Sequence, residues 1–74
     1  MGRTQLIEEI KEYIGSYPHE SVVNYINQSD NEELKFFLWR LENDWEHFYE
    51  GFINLRTRQI FTREQLLKTY QTQN

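Results

Sequence analysis

The chain has no cysteine, a single proline and three glycines among its 74 residues, and no alanine anywhere. Each shortage excludes something. Without thiols there are no disulfides and no thiolate metal sites, so the covalent staples that small extracellular domains use to supplement a thin core are ruled out. A reducing, cytoplasmic setting is the expectation. No apolar run approaches the roughly 20 residues that cross a bilayer, and the first residues have no apolar signal core. Leu6 also interrupts the Met-Gly-x-x-x-Ser/Thr acylation pattern. A soluble, unanchored protein with no membrane partner is therefore expected. Asn27-Gln28-Ser29 has the form of a glycosylation sequon, which is incidental without a secretory route. A glycine-rich phosphate loop, a Ser-His-Asp set and a nucleophile elbow are all lacking, so neither an enzyme nor a cofactor is expected. The missing Ala is the best helix former. Its absence beside frequent Asn, Ile, Tyr and Phe fits the codon bias of an AT-rich genome, such as that of a phage or mobile element.

What the chain does contain is a folding composition. Apolar residues make up 38% and charged residues 27%, and aromatics reach 16%, which is the balance of a globular protein and not of a disordered one. At this length one domain spanning residues 1–74 is expected, burying just over about 60% of its unfolded surface. That core is thin. Burial against a larger protein, or against a second copy in a homodimer, would supplement it.

Helical spacing dominates the pattern. Leu6, Ile7, Ile10, Tyr13, Ile14 and Tyr17 form one stripe with Thr4 as its cap, and Gly15 and Pro18 close it. A short second helix follows over about 19–27, carrying Val22, Val23 and Ile26. Ser29-Asp30-Asn31-Glu32 reads as a capping box opening a long third helix. Leu34, Leu38, Leu41, Trp45, Phe48, Phe52 and Leu55 then alternate steps of four and three, which keeps them on one seam. Gly51 either sits inside that helix or ends it, and termination is favoured. In that case residues 52–61 form a small two-stranded ribbon with Ile53, Leu55 and Ile60 turned toward the helices. Thr62-Arg63-Glu64-Gln65 is a second capping box, opening a last helix with Leu66, Leu67 and Tyr70. The fold class this predicts is mainly all-α: a compact bundle of three to four helices around a long central amphipathic one.

On that central helix one flank interleaves Trp39 and Ile53 with Glu42, Glu46 and Glu50. Like charges four residues apart cost a few tenths of a kcal/mol per pair in an isolated helix, so something should offset them. A basic partner would do so, with Trp39 as buried anchor and the carboxylates giving steering and register. The plainer alternative is that Arg56, Arg58 and Arg63 fold back on the glutamates while Trp39 packs beneath the first helix. The opposite flank aligns Arg40, Asp44 and His47. Arg40 and His47 stand two turns apart, which resembles the Arg-x(4–6)-His motif of HEPN ribonucleases, with Leu41 where that family carries a polar residue. The resemblance implies a pair acting on an RNA backbone at a dimer interface. Asp44-x-x-His47 also has the spacing of half a carboxylate-bridged di-iron site, without a second half.

Charge runs unevenly, with net −2 over residues 1–28, −5 over 29–50 and +3 over 51–74. The basic last third offers Arg56, Arg58, Arg63 and Lys68 to phosphates, and Phe61 and Tyr70 as stacking platforms. A net charge of −4 opposes a duplex, so a nucleic-acid partner is disfavoured. The expected function is a small acidic protein-interaction module that regulates or inhibits a larger protein with a basic surface. A nucleic-acid-associated protein using the arginine cluster and a minimal HEPN-like ribonuclease are the alternatives.

Overall fold

A computed structural model describes residues 2–73. Among them are four helices and a three-stranded antiparallel sheet, in the order α1 (Arg3–Ile14), α2 (Glu20–Gln28), α3 (Asn31–Glu42), β1 (Trp45–Phe48), β2 (Gly51–Asn54), β3 (Ile60–Thr62) and α4 (Arg63–Gln73). The mainly helical class stands, with a small sheet added. The chain divides into two compact units, Met1–Leu38 and Trp39–Asn74, and the boundary falls within α3.

In the N-terminal unit, α1 starts at Arg3 with Gly2 as an N-cap that offers no side-chain acceptor, so Thr4 is inside the helix and not its cap. Arg3 does other work. Its guanidinium donates to the Ser29 and Ile26 carbonyls at 2.6 and 2.9 Å, placing a cation on the open carbonyls at the end of α2. Leu6 and Ile10 of the α1 stripe are buried, while Tyr13 and Tyr17 at its end remain exposed. Gly15, at φ 85°, closes α1 through its amide to the Lys11 carbonyl. His19 caps α2, its Nδ1 accepting from the Ser21 amide at 3.1 Å. The cap of α3 is Asp30, whose Oδ1 accepts from the Glu33 amide at 2.8 Å. Ser29 instead donates its hydroxyl to the Tyr25 carbonyl, so the cap falls one residue later than the first capping box placed it. Tyr25 bonds the Glu33 carboxylate through its hydroxyl and meets Phe37 edge-on at 5.1 Å.

The long third helix stops early. Asn43 turns both its amide and its side-chain Nδ2 to the Trp39 carbonyl, at 3.0 and 2.8 Å, and Asp44 adopts φ 62°. Asn and Asp tolerate this left-handed conformation better than other side chains do, and a helix cannot continue through it. Trp45, Phe48, Phe52 and Leu55, expected on the helical seam, therefore lie in the sheet and its loop. On the flank expected to align Arg40, Asp44 and His47, Arg40 is buried, and Leu34, Phe36 and Leu38 are each buried as well.

β1 and β2 pair through a two-residue turn, Tyr49-Glu50, with Trp45 opposite Asn54, Glu46 opposite Ile53, His47 opposite Phe52 and Phe48 opposite Gly51. β2 pairs with β3 with Gly51 opposite Thr62, Phe52 opposite Phe61 and Ile53 opposite Ile60. The ribbon expected over 52–61 is present, and β1 joins it from the expected helix. Because side chains alternate across a pleated sheet, Trp45, His47, Phe52, Asn54 and Phe61 share one face, and Glu46, Phe48, Ile53 and Ile60 share the other. Phe52 and Asn54 are buried, whereas Leu55 and Ile60 are exposed. The inward residues of the ribbon are thus Phe52 and Asn54, and not Ile53, Leu55 and Ile60.

Gly51 is required by a close approach: a Cβ there would lie 2.5 Å from the Phe61 carbonyl oxygen. The second capping box is as expected, with the Gln65 amide on Thr62 Oγ1 at 3.2 Å and the Thr62 amide on Gln65 Oε1 at 2.9 Å.

Candidate functional site

The last turn of α3, the sheet face of Trp45 and Phe61, the loop after β2 and the outer turns of α4 enclose a groove of about 510 Å³. It lies wholly within the C-terminal unit. Three aromatic rings line it, Trp39, Trp45 and Phe61. Trp39 of α3 meets Tyr70 of α4 at 5.3 Å between ring centroids, tilted by 56°, and Trp45 of β1 stacks on Phe61 of β3 at 5.1 Å and 28°. All four rings are half-buried, and Trp39, Trp45 and Phe61 keep some surface open to an occupant while Tyr70 backs Trp39. Amides and hydroxyls complete the lining, from Asn43, Asn54, Thr57, Gln59, Thr69 and Gln73, with Arg56 at the rim.

Asn54 holds this architecture. Only 7% exposed, it donates from Nδ2 to the Asn43 carbonyl at 2.9 Å, and its Oδ1 accepts from the Arg56 and Thr57 amides, each at 3.0 Å. One side chain thereby ties the end of α3 to β2 and sets the turn that carries Arg56 and Thr57. Its main chain adds bonds to Gln59 and Arg58, and the Leu55 amide reaches the Asp44 carbonyl. The Trp39 indole N–H donates to Gln73 Oε1 at 3.1 Å in an exposed bond. Arg56 Nε lies 3.4 Å from Asp44 Oδ2 with the arginine side chain 80% exposed, a surface pair of small worth.

The acidic face expected along one helix is not formed, because the helix ends at Glu42. Trp39 stands in the groove wall, Glu42 is in the last turn of α3, Glu50 is in the hairpin turn, and Glu46 and Ile53 are cross-strand neighbours on the far face of the sheet. Glu42, Glu46 and Glu50 are all exposed, and Ile53 is half-buried. Of the arginines expected to fold back, Arg56 pairs with Asp44. Arg40 and His47 share no helix face. Arg40 is buried, its guanidinium carbon 4.6 Å from the centre of the Phe52 ring, while His47 is on β1, edge-on to the same ring at 5.8 Å. Asp44 and His47 likewise lose the i, i+3 helical relation that half a di-iron site needs, and no three His, Asp or Glu side chains among the described residues are grouped to hold a metal.

Reading the sequence reached Trp39 directly and noted Phe61 and Tyr70 only as stacking platforms. It did not reach Trp45 or Asn54 as site residues. Their signal is the Asn43-Asp44 pair, a helix stop followed by an aromatic-rich run from Trp45 to Tyr49. Comparison with known protein families, curated proteins and solved structures found no match. Among the described residues no helix is long and apolar enough to cross a membrane.

Proposed function

We infer that the protein is an interaction module, a regulator or inhibitor that takes a segment of a larger protein with a basic surface into the aromatic groove. The observation that carries this reading is the set of three aromatic rings lining an open groove, Trp39, which packs against Tyr70, and the stacked pair Trp45 and Phe61. Tryptophan and tyrosine give large contact area at small entropic cost, which is why they concentrate in the anchoring positions of interfaces. Glu42 and Asp44 are chain neighbours of the groove residue Asn43, and Asp44 lies 3.4 Å from the lining residue Arg56, which brings carboxylates beside the lining. Nothing in the groove has the geometry of a nucleophile with its base, so a binding role uses what the site contains.

Both tryptophans of the chain line the groove, so its occupancy is readable without a label. A partner isolated by affinity capture is expected to change the tryptophan emission saturably. Thr69→Lys puts a long cation into the α4 wall at a position where lysine is the better helix former. It is expected to weaken that binding at least about tenfold, roughly 1.4 kcal/mol, with an unchanged Tm. A partner that binds Thr69→Lys as tightly as the parent protein would remove the groove from the function.

A further inference from the structure

We propose that the occupant of the groove is an extended polyproline-II segment flanked by basic residues, a proposal that rests on the docking role inferred above. Trp45, Asn54 and Phe61 enter the groove from one face of the sheet, so an occupant meets that face and not a strand edge, and the Thr62 amide on β3 is already held by Gln65 Oε1 at 2.9 Å. It also fits an amphipathic helix poorly. Such a helix lays three or four apolar anchors onto a continuous apolar floor, whereas Asn43, Asn54, Thr57, Gln59, Thr69 and Gln73 interrupt this lining with polar groups.

Those features suit the polyproline-II conformation. It has no internal hydrogen bonds, so its carbonyls need donors from the receptor, and its proline rings pack between aromatic side chains. Here the rings are Trp39, Trp45 and Phe61, with the amide side chains of Gln59 and Gln73 beside them. The Trp39 indole N–H is the chief donor. Its present acceptor, the exposed Gln73 side chain in the last described turn of α4, can give way to a peptide carbonyl at little cost. A proline-rich segment is already extended before it binds, so it loses little freedom in so small a groove. Charge sets the flanking residue. Glu42 is exposed, and the Asp44 side chain is 44% exposed against a weakly held Arg56, so an arginine or lysine beside the prolines finds carboxylates at the α3 end.

The test is a tryptophan-emission titration of the full chain with four probes. They are a short run of prolines bracketed by arginines, the same run bracketed by glutamates, an alanine-rich helical peptide bearing the same arginines, and oligothymidine. The arginine-bracketed proline peptide is expected to bind saturably, and its glutamate counterpart about fivefold to tenfold more weakly, the size of one or two exposed charge pairs. Glu42→Lys, at an exposed helix end, is expected to narrow or reverse that preference while the fold and Tm hold. The proposal is overturned if neither proline peptide shifts the emission, or if the helical peptide binds as well as the proline one. Helical-peptide binding that Thr69→Lys abolishes leaves the docking role standing without the polyproline assignment. Oligothymidine binding in the same groove, with the peptides silent, overturns both.

Discussion

At the residue scale, Asn54 and Gly51 carry more of the C-terminal unit than their size suggests. Asn54→Ala removes the Nδ2 bond to Asn43 and leaves the Arg56 and Thr57 amides without their common acceptor. Orphaned partly buried polar groups cost about 1–3 kcal/mol each before water compensates, so a loss of roughly 2–3 kcal/mol is expected in urea denaturation. Asn54→Asp separates the two roles. It keeps the acceptor for both amides but sets a second acceptor against the Asn43 carbonyl in place of the donor, so it should recover only part of the loss. Gly51→Ala places a methyl group 2.5 Å from the Phe61 carbonyl oxygen, which forces β3 away from β2. The same denaturation series should show a cost on the order of 2 kcal/mol or more. Tyr49 presents the opposite case. It is 83% exposed and holds φ 52°, a region that costs a side chain with a Cβ about 1–2 kcal/mol. Tyr49→Asn should stabilise the protein by roughly 0.5–1 kcal/mol, less whatever the edge contact with Phe48 contributes.

At the element scale, the reciprocal bonds of Thr62 and Gln65 fix where the sheet ends and α4 begins. Thr62→Ala should cost about 1 kcal/mol, the usual worth of an N-cap, and reduce the helical signal in far-ultraviolet circular dichroism. This box was readable from the sequence because cap chemistry is local: four consecutive residues contain both halves of it. α1 and α2 were readable to within a residue or two for a similar reason, since their apolar spacing has one helical interpretation and Gly15 and Pro18 punctuate it. The stretch from Trp45 to Leu55 was not. Steps of four and three satisfy a helical seam, yet the same residues also contain strand alternation, and Trp45 and Phe52 take one face of the sheet while Phe48 takes the other. What decides between the two is the partner strand, with Phe52 opposite Phe61 and Ile53 opposite Ile60. No window of neighbouring residues contains that information. The site followed the same rule. Trp39 was visible as an aromatic out of phase with the seam, whereas its company of Trp45, Phe61 and Tyr70 is assembled by pairing and helix return. Glu46 and Ile53 went to the opposite face once β1 formed.

At the scale of the whole molecule, charge and groove are separated along the chain. The unit Met1–Leu38 has three lysines and arginines against seven acidic residues, while Trp39–Asn74 has five against five. The entire net charge of −4 therefore resides in the unit without the groove. Long-range attraction of a basic partner and retention of its docked segment should thus respond to different residues. Exposed charges steer encounter and are screened within a Debye length of about 10 Å at 0.1 M salt, whereas packed aromatic contacts govern how long a complex lasts. Glu8→Lys combined with Glu12→Lys changes two exposed positions of α1. In stopped-flow tryptophan fluorescence this pair should slow association with the arginine-bracketed proline peptide several-fold and leave dissociation nearly unchanged. Raising salt toward about 0.5 M should slow association of the parent protein similarly, because the Debye length then falls to a few ångström. Thr69→Lys should do the reverse and act mainly on dissociation. If the α1 pair accelerates dissociation instead, the acidic unit takes part in holding the peptide, and steering is not its role.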